Sequence, residues 1–224
     1  MTNSGDVRIL AAGFGAFPGA PLNPSAAIVG RLSRSSRRLR ALARIDLSTA
    51  VLPVCWDGAE QRLRALFERA RPDVVLLLGV AGRRAALHVE TRARNRSSLL
   101  RPDAEKRVAR DFAIVKGASQ FRAARLPIAQ VVAALSRSGV RARRSIDAGD
   151  YICNQALYLA LGCEAARVGF VHVPRARNRA APLSRRVAGR RRWSVEEMAR
   201  AIGAILPLLA SQWRATQVHR KIDS

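Results

Sequence analysis

Hydrophobic positions along the 224-residue chain alternate between two rhythms. Short, nearly continuous apolar runs occur at VRILAAG (7–13), RIDLSTAVLPV (44–54), VVLLLGV (74–80) and RVGFVHVP (167–174), and each predicts a buried strand. ALHVETRA (86–93) predicts a fourth, weaker strand in chain order, and RARRSIDAG (141–149) a strand with its exit loop. Between these lie segments whose apolar residues recur every three or four positions. SAAIVGRL (25–32) follows the helix entrance Asn23-Pro24-Ser25. DGAEQRLRALFERA (57–70) has Asp57 as a candidate cap, with Leu63, Leu66 and Phe67 on one face. PIAQVVAALSRSG (127–139) and DYICNQALYLALGCEAA (150–166) predict two further helices. SVEEMARAIGAILPLLA (194–210) opens with the capping box Ser194/Glu197, and Pro207 should kink or end it. Residues 95–118 have no clear period and read as an excursion from the sheet. Strands alternating with helices argue for an α/β layered domain with a mostly parallel sheet. In such sheets, sites lie beyond the carboxyl ends of strands and at helix N-termini.

Composition changes this picture little. No apolar run reaches the roughly 18 residues of a membrane span, and the N-terminus has no secretory pattern, so a cytoplasmic protein is expected. Cys55, Cys153 and Cys163 are too few and too irregularly spaced for a disulfide framework or a zinc site. No metal or cofactor motif is present. The formal charge of +24 comes almost wholly from arginine, since Lys106, Lys116 and Lys221 are the only lysines among 40 basic residues. Spread along the chain, these arginines read first as a solvated surface. Nucleic acid or another polyanion remains an alternative partner, through the basic surface and the arginine-rich stretch 175–192, which is expected to be a mobile loop.

Candidate chemistry centres on Cys153. It follows the turn signal DAGD and falls in the first turn of a helix, where the partial positive charge should lower the thiol pKa and could hold an oxyanion. The plainer alternative is a small residue filling a core gap. His172, at the end of VGFVHV, is a candidate base for the thiol, or a hydrogen-bonded core histidine. Glu90 is a candidate to orient that imidazole, or an acid among arginines. His88 falls on the same strand face as Glu90 and is a rival base. Cys55 and Cys163 read as structural.

These residues sit in segments that resemble the pyroglutamyl peptidase I (pyrrolidone-carboxylate peptidase) family of cysteine peptidases. GFGAFPGAPLNPS (13–25) resembles its N-terminal signature. LGVAGRR (78–84) and HVETRARN (88–95) resemble its glycine-containing turn and the strand bearing its glutamate. DAGDYICNQALY (147–158) and GFVHVP (169–174) are similar to its nucleophile and histidine motifs. The resemblance runs in order along nearly the whole chain and implies one three-layer α/β/α domain, 1–224, with a twisted central sheet. It implies a Glu90–Cys153–His172 triad, a thioester acyl-enzyme, no cofactor, and peptide substrates beginning with pyroglutamate. It places Phe14, Phe17 and Val80 at the substrate pocket and implies homo-oligomers, tetrameric in some relatives. Ala16, Val80 and Thr91 depart from common family residues and leave open a thiol hydrolase with shifted amide specificity. A basic anion-binding protein with a vestigial site also stays open.

Overall fold

The computed structural model describes residues 5–163, 167–177 and 193–222, with side chains to residue 218. The basic stretch expected as a loop falls mainly at 178–192, outside the described residues.

A six-stranded sheet forms the centre. In chain order its strands are β1 (Val7–Phe14), β2 (Ile45–Leu52), β3 (Val74–Val80), β4 (Leu87–Glu90), β7 (Ala142–Ser145) and β8 (Arg167–Val173). In space they run β2-β1-β3-β8-β4-β7. All neighbours are parallel except β4 and β8, which are antiparallel, with His88 opposite His172 and Glu90 opposite Phe170. A two-stranded antiparallel ribbon, β5 (Arg92–Arg94) with β6 (Phe121–Ala123), stands apart. The helices are α1 (Pro24–Arg34), α2 (Ser36–Ala43), α3 (Trp56–Ala70), α4 (Ile128–Arg137), α5 (Ile152–Leu161) and α6 (Val195–Ile222).

The period-2 alternation of the strands sorts the core into two layers. Val7, Ile9, Val74, Leu76, Leu78, Val89, Val171 and Val173 pack with residues of α1, α4 and α6. Leu10, Phe14, Val75, Leu77, Val168 and Phe170 pack on the other face with α3 and α5. The result is the α/β/α sandwich implied by the motifs. His172, in step with Phe170, therefore belongs to the α5 face. So do His88 and Glu90, which alternate with Leu87 and Val89.

Several local expectations change. α2 has no buried residue, and the core pattern gave no sign of it. The strand expected over 86–93 divides after Glu90, and its second half turns away to pair with β6. α3 is capped at Cys55 rather than Asp57. Asp103, from the irregular 95–118 excursion, accepts the Trp56 N–H at 3.1 Å and so closes that helix end from outside. α6 neither stops nor ends at Pro207. Ile205, Leu206, Leu209 and Ala210 around it are all buried, and their burial outweighs the roughly 3 kcal/mol an internal proline costs.

Candidate active site

Asn23 caps α1 by accepting the Ser25 N–H at 3.1 Å, and its amide donates to the Gly15 carbonyl at 2.9 Å. Ser25 Oγ accepts the Phe14 N–H at 3.0 Å. These bonds hold the loop after β1 against the start of α1. Phe14 is fully buried, its ring centroid 6.4 Å from that of Phe170, whereas Phe17 lies further out, 6.4 Å from Tyr151.

Cys153 lies in the first turn of α5, whose cap is Tyr151. Asn154, fully buried, anchors that turn: its carbonyl accepts the Arg94 N–H at 2.9 Å and its amide donates to the Arg94 and Arg96 carbonyls at 2.9 Å each. The first turn of α5 is thereby tied to β5 at Arg94, four residues beyond Glu90. On its inner side the Cys153 sulfur rests on Gly79. A Cβ at Gly79 would sit 2.8 Å from Sγ, and Gly79 is the register partner of His172.

Glu90 and His172 are both buried, and Glu90 Oε1 is 2.8 Å from His172 Nδ1. With Nδ1 engaged, the other ring nitrogen is left for the cavity side. The Phe170 ring lies 4.6 Å from the imidazole and limits its tilt. Arg84 completes the cluster. Its Nη1 donates to Glu90 Oε1 at 2.7 Å and to Ser145 Oγ at 3.2 Å, and its Nη2 donates to the Asp147 carbonyl at 2.9 Å. A buried carboxylate needs such a partner. Sequence reasoning missed Arg84. The need for a cation was readable, but not which of so many arginines would meet it.

Phe14, Phe17, Val80, Cys153 and His172 share one cavity of about 130 Å³ with Asn23, Val54, Arg101, Tyr151 and Ile152. Arg101, Asn23 and Tyr151 are further lining residues that the motifs did not place at the pocket. His88 is not among the lining residues. Burial and Arg84 hold its imidazole below the usual value, so it stays neutral beside the cluster.

The thiol departs from expectation. Burial, reinforced by the Glu90 carboxylate, pushes Cys153 up to about 12. Arg101 and the residue's own backbone N–H favour the thiolate by less. The helix end acts in the expected direction, but desolvation and a nearby negative charge win. Burial thus favours the neutral thiol over the thiolate. Cys55 and Cys163 are also unbridged, and neither lines this cavity. Among the described residues, no group of acids, histidines and cysteines is arranged to hold a metal ion.

The family model for pyroglutamyl peptidase matches residues 7–205. The chain belongs to the pyroglutamyl peptidase family. Among its relatives is the pyrrolidone-carboxylate peptidase of Thermococcus onnurineus, 35% identical over 173 residues, covering 75% of this chain and 84% of that one. Pyrrolidone-carboxylate peptidase 1 of Ralstonia nicotianae is 34% identical over 171 residues, covering 74% and 77%. The crystal structure of pyrrolidone carboxyl peptidase from Thermus thermophilus superposes with a TM-score of 0.76 at 36% identity, covering 89% of this chain and 98% of that chain. A mutant pyrrolidone carboxyl peptidase from Pyrococcus furiosus gives 0.80 at 26% identity, covering 92% and 99%. Membership extends over the same core that carries Glu90, Cys153 and His172, and ends within α6.

Proposed function

We infer that this protein is a cysteine peptidase that removes pyroglutamate from the amino end of peptides through a thioester. The observation that carries the reading is the buried Glu90–His172 pair beside a small, mainly apolar cavity that also holds Cys153. A pyroglutamyl group is a flat, uncharged lactam, and walls from Phe14, Phe17, Val54, Val80 and Ile152 suit it.

In this mechanism His172 takes the Cys153 proton as sulfur attacks the carbonyl carbon that joins pyroglutamate to the next residue. A thiol pushed up to about 12 favours proton transfer with attack over a preformed thiolate. The first-turn N–H groups of α5 are candidates to receive the oxyanion. Collapse breaks the C–N bond, and the imidazolium protonates the leaving amine. Water, deprotonated by His172, then attacks the thioester and releases pyroglutamate and the free thiol. Glu90 keeps the imidazole oriented and stabilises its charged form, and no cofactor takes part.

Three unbridged cysteines suit a reducing compartment, and a cytoplasmic peptidase is the reading they support. Among the described residues no helix is long and apolar enough to cross a membrane. A single catalytic domain acting as a homo-oligomer is part of the same proposal. The test is release of a fluorescent amine from its pyroglutamyl amide. Turnover by the wild type that is lost in Cys153→Ala supports the function. No turnover, or equal turnover by the variant, refutes it.

A further inference from the structure

Among the described residues, the lining of the cavity that holds Cys153 and His172 carries one fixed positive charge, the guanidinium of Arg101. Its side chain is 61% exposed, so Arg101 stands at the mouth while the apolar walls close the interior. Two contacts keep it there. The guanidinium carbon lies 4.8 Å from the Tyr151 ring centre, and Nη1 reaches Asp150 Oδ1 at 3.3 Å. The Tyr151 hydroxyl in turn donates to the Pro102 carbonyl at 2.9 Å, fixing the ring beneath. Asp150 does not cancel the charge of Arg101 alone, because Arg96 Nη2 also approaches it, at 3.8 Å. Two guanidinium groups share one carboxylate, and a positive charge is left over at the mouth.

We propose that Arg101 is a specificity-determining residue that selects peptides carrying a carboxylate on the leaving group, just after the pyroglutamyl residue. This rests on the peptidase reading above. A lactam that fills a cavity of about 130 Å³ leaves no room for the rest of the peptide, which must pass the mouth. Pyroglutamate also has no free amino group. A pyroglutamyl peptide therefore lacks the N-terminal positive charge of an ordinary peptide, and a single carboxylate makes it a net anion. Such a substrate is drawn to a chain of formal charge +24 and meets Arg101 at close range. The carboxylate has two sources, an acidic side chain or the free C-terminus of a dipeptide.

Four probes separate them: pGlu-Ala-NH2, pGlu-Ala with a free carboxylate, pGlu-Asp-NH2 and pGlu-Lys-NH2, with the released amine followed by mass spectrometry. At low salt kcat/KM should be about fivefold higher for a carboxylate probe than for pGlu-Ala-NH2, the size of a partly exposed ion pair, and lowest for pGlu-Lys-NH2. Which carboxylate probe gains names the source. The ratio should approach one in Arg101→Met, persist in Arg101→Lys, and shrink as salt is raised. Because the ratio is taken within each enzyme, a general effect of Arg101 on the thiol cancels. Turnover of all four probes within a factor of two, or a ratio unchanged in Arg101→Met, overturns the proposal and leaves the peptidase reading intact. No turnover of any probe overturns both.

Discussion

Gly79 lies so close to Cys153 that a methyl group in place of its α-hydrogen would sit 2.8 Å from the sulfur. The same methyl would meet the Phe170 ring at 2.7 Å, and Phe170 packs on His172. Gly79→Ala must therefore move the thiol, the ring, or both. The backbone here is extended, so the effect is one of space and not of strain. We expect kcat to fall at least about tenfold, with a stability loss of about 1–3 kcal/mol. A steady-state assay beside a denaturant melt checks it. Wild-type kcat in the variant would contradict the packing described.

Glu90 loses its cation in Arg84→Met. Removing one member of a buried pair should cost about 3–5 kcal/mol, lessened here because Arg84 is partly exposed. In Arg84→Met/Glu90→Gln the charge is gone as well, and the loss should be less than the sum of the two single changes. Urea unfolding of the four proteins closes the cycle. Additive losses would mean the pair carries no coupling. Activity should drop in Arg84→Met mainly through kcat, since Arg84 is not among the residues lining the cavity.

The raised pKa of Cys153 has a direct reading in thiol chemistry. Without the imidazole, only the thiolate reacts with iodoacetamide. In His172→Ala, labelling of Cys153 should stay slow through pH 9 and rise only as the pH approaches about 12. The sign also holds for stability. A thiol held protonated by the fold keeps its full contribution below the unfolded pKa near 8.5 and loses it as the pH rises toward about 12. Site-resolved labelling by mass spectrometry gives the midpoint. A midpoint near 8.5 would mean that burial does not control this group.

Pro207 is exposed on the outer side of α6, where it removes an N–H from the helix ladder. Pro207→Ala should raise stability by about 1–3 kcal/mol, the spread reflecting the freedom the unfolded chain regains. Thermal unfolding tests this. A lower Tm would mean that the proline ring makes a contact the helix needs.

Much of this architecture was written in local pattern. VVLLLGV and RVGFVHVP are continuous apolar runs because their strands are covered on both faces, and they appear as β3 and β8. DAGDYICN placed Cys153 in the first turn of a helix, which only the next four residues need decide. Parity along VGFVHV put His172 in step with Phe170, and parity along ALHVE put Glu90 in step with His88.

Tertiary structure decided what parity cannot. The antiparallel pairing of β4 with β8 puts His88 opposite His172 and Glu90 on the diagonal, and it is the diagonal Glu90 whose Oε1 lies 2.8 Å from His172 Nδ1. Strand order and direction, which bring these side chains together, are properties of the whole sheet. It chose Arg84 from among many arginines, since a buried carboxylate selects a cation by position and not by type. It carried α6 through Pro207, where long-range burial outweighs a local break. It also reversed the expected shift of Cys153, because a helix end is a local charge whereas desolvation is the sum of everything packed around the sulfur. The residue types and their order were determined by the sequence. Their distances, their partners and the charge each carries came from the packing of segments far apart in the chain.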